Sequence, residues 1–466
     1  MNKYRKLAGN TLIFAIGSFG AKILSYLLVR LYTGCMTESE FSTADLIYQT
    51  VNVIYPIVSF CMADAIIRFG IDKGYDNKKV FSNAVFAAVI GLTFFAMLSP
   101  IMNFFDVIKN YGFLLYVCCY CSTFRQLASN YVRAAGLVKL FAADGIMSML
   151  TVAISNILLL KVFGMGVTGY ILSTIISDSL SFIGLTIIAQ IYKKLDIKFI
   201  NLKLLKEMLK YAIPLVPVYV LWWIISASDR WFVYKMVSPV DNGIYSVSYK
   251  IPGLLITLTT LFFQAWQMSA IENKDEKDIS SFYKTVFGAY TSIVFIAAAG
   301  IIMLVKPLTY ILVDDKPGKN FIFAYHYTPV LIIAMVFQCF CQFLSSIYNT
   351  HKKSVNSLWT SLAAAVINVA LNFILIPHFK VYGAAIATAL SYFTCYAIRI
   401  FDARKITPFK VAHLKIAINT LIICYMAYAA SAELPFVYIQ LSLLFVIITV
   451  LNFDAVIKTL KKILKK

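Results

Sequence analysis

Charge is what this sequence has least of: only 14% of its 466 residues are charged, while 60% are hydrophobic. Soluble domains average about a quarter charged and half apolar, so a water-soluble globular chain is excluded. Histidine is nearly absent, and His326, His351, His378 and His413 stand far apart at segment ends. No metal site follows from them. Nine cysteines are scattered, mostly inside apolar runs. Their one cluster, Cys118, Cys119 and Cys121, reads as small hydrophobes packed between helices rather than as a disulfide framework or a zinc site. A Gly-x-x-x-x-Gly-Lys-Ser/Thr phosphate loop is missing, which excludes ATP hydrolysis of the P-loop kind. A cleavable secretory signal is missing too, because the first apolar run, residues 7–32, is too long and lacks a small-residue cleavage site. No cofactor is expected.

What is present is a succession of apolar runs of membrane-spanning length, bounded by charge, Gly or Pro. They predict about fourteen transmembrane helices, near residues 7–32, 41–69, 79–99, 111–134, 138–162, 166–192, 207–235, 244–268, 282–304, 325–350, 355–377, 382–401, 411–431 and 436–453. The fold class expected is an all-α polytopic membrane protein. Net charge is +20, from 42 Lys+Arg against 22 Asp+Glu. With the N-terminus inside, cytoplasmic segments hold roughly 28 of the basic residues and outer loops only about seven, as the positive-inside rule requires. Most of the excess is therefore topology and attraction to anionic membrane lipids, about 1 kcal/mol per residue near the surface. Nucleic acid drops out as a partner. Both termini are expected in the cytoplasm, with the chain in a bacterial inner membrane.

Between Asp196 and Lys210, Ile197, Ile200, Leu204 and Met208 alternate with lysines at helical spacing, which predicts an amphipathic helix on the cytoplasmic face. Val456 to Lys466 repeats the pattern. An internal repeat is also visible. Asn156-Ile157-Leu158-Leu159 leading to Gly169 and Thr174 recurs as Asn372-Phe373-Ile374-Leu375 leading to Gly383 and Thr388, and Thr37 to Ser42 parallels Ser238 to Gly243. Two six-helix lobes follow, related by a pseudo-two-fold axis, an arrangement used by carriers that rock two lobes about a midplane site. The domains expected are residues 1–195 (helices 1–6), 196–210 (amphipathic linker), 211–405 (helices 7–12) and 406–466 (helices 13–14 and a basic tail).

These features carry a resemblance. Leu7-Ala8-Gly9-Asn10-Thr11, the polar turn before span two, Tyr131-Val132-Arg133-Ala134-Ala135-Gly136 and the repeated Asn-x-x-Leu…Gly-x-x-x-x-Thr pattern resemble the polysaccharide repeat-unit flippases. These form a branch of the multidrug/oligosaccharidyl-lipid/polysaccharide exporter superfamily. The likeness covers nearly the whole chain, and departs from the usual small residue opening span two by carrying Ser42-Thr43. The resemblance implies a MATE-like carrier that turns an undecaprenyl-pyrophosphate-linked oligosaccharide from the inner to the outer leaflet for capsule, exopolysaccharide or O-antigen synthesis. It would work as a monomer beside a polysaccharide polymerase and other assembly proteins.

A charge at a helix centre costs about 2.5–3.5 kcal/mol on insertion scales, so each should face protein, water or ligand. Arg30, Arg68 and Arg133 lie near span ends, where snorkelling explains them, and Asp64 is placed to pair with Arg68 four residues on. Lys22, Arg125, Arg230 and Lys250 sit deeper, either lining a cationic cavity or closing internal salt bridges. Arg30 shares a helix face with Ser18, Lys22 and Tyr26 and joins that set of candidate ligands for pyrophosphate. Polar stripes run along span two (Asp45, Gln49, Asn52, Pro56, Ser59) and span five (Asp144, Ser148, Thr151, Ser155), facing other helices or a hydrated cavity. Asp45, Asp64 and Asp144 are candidates for binding a coupling ion. Rival functions are a lipid II-type or multidrug exporter of the same superfamily, a membrane polymerase or ligase, and a scaffold. The enzyme reading needs a long outer loop with catalytic groups, and the longest here, residues 305–324, offers only the acidic pair Asp314-Asp315.

Overall fold

The computed structural model describes residues 24–72, 74–98, 100, 106–272, 279–314, 316–351 and 353–464. Among them every regular element is a helix. They divide into two compact units, Met1–Trp223 and Ile224–Lys466.

The first unit opens with α1 (24–35) and α2 (Glu38–Val58), which starts in a capping box: Thr37 accepts from the Glu40 amide while the Glu40 carboxylate accepts from the Thr37 amide. That exchange satisfies two donors otherwise orphaned at a helix start. Phe60 and Cys61 both take left-handed φ values (50° and 53°), so α3 (Met62–Gly70) leaves α2 at 54°. Next come α4 (Asn77–Met97), α5 (Gly112–Ala134) and α6 (Val138–Asn156), which runs into a π-turn (Ile157–Val162) before α7 (Gly166–Ile188). Met62, Ala65, Ala84, Ala88, Leu127 and Ala128 share one buried core; the alanines let helix backbones approach closely where lipid supplies no hydrophobic drive.

The amphipathic segment is helical from Leu202 to Ala212 (α8), capped by Asn201. Its apolar face does not lie on lipid. Leu204, Leu205 and Met208 are buried in the core with Met62 and Phe81, and Tyr75 donates to Glu207 across 3.3 Å. The polar hydrogen bonds from Ser82 and Asn83 to the Lys194 and Phe199 carbonyls fasten the same connection, so the covered surface belongs to the protein.

Helix α9 (Leu215–Met236) crosses from the first unit to the second, which continues with α10 (Pro239–Ser248), α11 (Lys250–Glu272), α12 (Ile279–Met303), α13 (Val305–Leu312), α14 (Ala324–Thr350), α15 (Ser354–Ile406), α16 (His413–Ser431) and α17 (Val437–Leu464). The longest expected outer connection, residues 305–324, contains α13. Phe337, Phe340, Phe343 and Tyr348 of α14 are buried. Helix α15 has 53 residues, about 80 Å if straight. It is not straight: Lys380 takes φ 50° and ψ −129°, and Arg399 returns to bond Thr360 at 2.9 Å. The element is a hairpin of two arms.

Both halves of the sequence repeat have the same local structure. Ser238 caps α10 as Thr37 caps α2. Asn156 and Asn372 are fully buried, and each donates to the carbonyl four residues back, at 2.8 and 2.9 Å. Each precedes a hairpin turn. Beyond it, Gly169 and Gly383 pack on the outgoing arm; a Cβ at Gly383 would stand 2.4 Å from the Leu375 carbonyl oxygen, so glycine is needed for that approach.

Nine helices among the described residues are long and apolar enough to cross a membrane, or ten if the bent α2–α3 pair is one span. With the hairpin α15 passing as a single helix, that tally is coarser than the fourteen expected spans. Lys306 and Tyr325 both reach Glu433, tying α13 and the start of α14 to the turn before α17, while Ser280, near the start of α12, donates to the Pro408 carbonyl before α16.

Candidate functional site

In the first unit α5, α6 and α7 bring together Arg125, Asp144 and Asp178. Arg125 Nη1 lies 2.9 Å from Asp178 Oδ1, and Nη2 lies 4.0 Å from Asp144 Oδ2. Hydroxyls complete the set: Ser122 donates to Asp178, Ser181 donates to Asp144 and accepts from Arg125 Nε at 3.2 Å. One guanidinium therefore serves two carboxylates, each of whose remaining lone pairs is met by a serine. Charges kept out of water need this completeness, since removing one partner strands the others. Arg125 itself keeps 25% of its side chain exposed, against 7% for each aspartate. Ser148 belongs to the same seam, 2.9 Å from Ser177. Thr151 of the predicted stripe bonds only back to Met147 in its own helix.

In the second unit Asp229 is fully buried and is served by hydroxyls. Tyr245 donates at 2.7 Å, Thr388 at 3.0 Å, and Tyr249 also donates. Arg230, buried as well, sets its guanidinium carbon 4.3 Å from the Tyr249 ring centre, a cation–π contact. Asn368 and Asn372 line up one turn apart beside Ser228, and the Asn372 carboxamide oxygen has no hydrogen-bond partner.

A further buried charge, one that the sequence reading does not single out, stands at the end of the span 382–401. Arg399 is wholly inaccessible, and its donors go to Thr360, Ser361, Ser357 and the Cys341 carbonyl, at 2.9 to 3.3 Å. The signal that could have found it is the repeat: the spacing of Asn156 and Asn372 (372 − 156 = 216) carries Arg125 to Cys341, the residue whose carbonyl Arg399 bonds.

The other expected residues are dispersed. Lys22 lies outside the described residues. Arg30 is exposed and Lys250 half-buried. Asp45 is buried in α2. Asp64 and Arg68 do not pair: Arg68 bridges forward to Asp72 at 3.6 Å, and Asp64 accepts from Tyr219 at 3.1 Å. The aspartate had a closer hydroxyl on α9, and the arginine had water and a solvent-side carboxylate.

A separate ionic group sits on a connection. Glu433 binds Lys306 and accepts from Tyr325 at 2.6 Å. The hydrogen bond from Lys306 holds the Glu433 carboxyl below its usual range, and the same bond raises the Lys306 ammonium.

Residues 7–266 match the family model described as polysaccharide biosynthesis protein. The chain belongs to that family. Among solved structures, the family's fold here is similar to a lipid II flippase, MurJ, in an inward closed conformation, at TM-score 0.71 and 16% identity, covering 96% of this chain and 99% of the other. It is similar also to an inward-facing multidrug resistance MATE family transporter of the MOP superfamily, at TM-score 0.69, 12% identity and coverage of 84% and 98%. A Vibrio cholerae MATE transporter, VcmN, follows at TM-score 0.60, 13% identity and coverage of 86% and 97%. No curated protein sequence matches. This member of the polysaccharide biosynthesis family thus has the fold of MOP-superfamily transporters, and its many apolar helices make it a multi-pass membrane protein.

Proposed function

We propose that the protein flips an undecaprenyl-pyrophosphate-linked oligosaccharide from the inner to the outer leaflet of a bacterial cytoplasmic membrane, by alternating access, for capsule, exopolysaccharide or O-antigen synthesis. The observation that carries the reading is Arg125. It is a guanidinium in mid-helix that stays a quarter exposed while bridged to two aspartates. Such a group can exchange carboxylate for pyrophosphate oxygens, to which arginine offers paired donors in matching geometry. Arg230, buried over the Tyr249 ring, is a second candidate, with Lys22, Arg30 and Lys250 completing the cationic set. Family membership supports a lipid-linked sugar as cargo, and the positive-inside count supports cytoplasmic termini. The reading needs no bond-making step in this chain; a polymerase would act on the delivered unit.

Energy would come from a gradient. Of the intramembrane carboxylates, Asp144 is committed to Arg125, whereas Asp64 and Asp229 are held by hydroxyls. The latter two suit a coupling proton or cation better, with Asp45 a further candidate.

Deleting the gene should leave lipid-linked repeat units on the cytoplasmic leaflet and remove surface polymer. Arg125→Ala together with Lys22→Ala and Lys250→Ala, at normal protein level, should do the same; unchanged export would end the cationic-ligand reading. The similarity to the lipid II flippase structure favours one alternative cargo, lipid II. Rescue of a strain lacking its own lipid II flippase, without any effect on surface polysaccharide, would establish that cargo instead.

A further inference from the structure

On the face where α12 and α16 begin and the apolar stretch of α17 ends, the second unit has a groove of about 300 Å³. Three lysines, Lys284, Lys410 and Lys415, line it, and among the described residues no carboxylate does. Its floor is apolar, from the buried rings of Phe287 and Phe295 and from Ile416. Helix α16 brings its first turn to the groove with Lys415 and Ile416, adding partial positive charge to that of the lysines. Gly288 lines the groove, and a Cβ there would meet no atom within 4 Å. Asn452, only 1% exposed, lines it too; its amide donates to Asn419 and Ile448, while its carboxamide oxygen accepts no hydrogen bond.

We propose that this groove is a binding site for the headgroup of an anionic glycerophospholipid, with phosphatidylglycerol the best fit. The lysines match a phosphodiester, whose single negative charge is compact and strongly hydrated, as ammonium groups are. The apolar floor takes the upper acyl chains. Three lysines favour a headgroup of net negative charge, which phosphatidylglycerol has and phosphatidylcholine, carrying its own ammonium, lacks. Position agrees with chemistry: the ends of apolar helices are where headgroups lie. The site is separate from Arg125 and Arg230 and would anchor α16 and α17 against α12.

The full chain, purified in detergent, would be titrated with mixed micelles of phosphatidylglycerol or of phosphatidylcholine, and bound lipid counted by native mass spectrometry. Inorganic phosphate serves as a third arm. Phosphatidylglycerol should be retained selectively, its affinity falling roughly fivefold for each of Lys284→Gln, Lys410→Gln and Lys415→Gln. Gly288→Trp should displace it with all three lysines in place. Equal retention of phosphatidylcholine, competition by inorganic phosphate at matched concentration, or full retention in both Gly288→Trp and the triple lysine variant would overturn the proposal. Should the triple variant fail to fold, Gly288→Trp decides alone.

Discussion

The two halves of this chain solve one problem in opposite ways. Each has a helical hairpin, α6–α7 in one and the two arms of α15 in the other, packed on a middle helix, α5 or α14. In the first, the arginine is on the middle helix and the acids are on the hairpin: Arg125 faces Asp144 and Asp178. In the second, the arginine is on the hairpin, and the middle helix answers with the Cys341 carbonyl while hydroxyls do the rest. Asp229 likewise takes hydroxyl donors. An ion pair in a medium of low dielectric is strong only while complete. A hydroxyl cradle loses one bond at a time. The first arrangement can therefore exchange partners as a unit, whereas the second changes one bond at a time.

The largest test of this contrast is Arg125→Met, which strands two buried carboxylates and should lower stability by about 3 kcal/mol. A thermal midpoint measured in detergent should drop clearly, and adding Asp144→Asn and Asp178→Asn should restore part of it. Simple addition of the three losses would mean that no coupled set exists. Next in size, Tyr245→Phe or Thr388→Val removes one of several donors to Asp229 and should cost about 1 kcal/mol each. A loss as large as that of Arg125→Met would erase the distinction. The smallest effect belongs to the exposed pair on the connection. Glu433 has a folded-state pKa below its ordinary value, so its contribution is present above the ordinary carboxylate range and fades as pH falls through the folded value. Glu433→Gln should flatten that acid limb of stability against pH. Because the pair is largely exposed, an unchanged profile at neutral pH is expected as well.

Much of this was legible in the residues. Thr37 and Ser238 announce helix starts by their hydroxyls, and Asn156 and Asn372 mark the hairpins by a shared pattern. Arg125, Asp144 and Arg230 stand out because charge inside an apolar run is costly. The bend after α2 was not legible, since Phe60 and Cys61 carry no local signal for left-handed φ. Arg399 was missed because its partners lie 38 to 58 residues away. The lysines of α8 suggested a membrane surface, whereas its apolar face covers helices of its own unit.

The sequence by itself determined that the chain lives in lipid, which loops carry the positive charge, and that a hairpin unit is used twice. Those are properties of composition and local period, read one helix at a time. Which acid meets which base was decided only by the tertiary structure. The partners sit on helices far apart in the chain, and a rotation of one helix by one residue, 100° at 3.6 residues per turn, would turn Asp178 from Arg125 toward lipid. Only packed helices fix that angle.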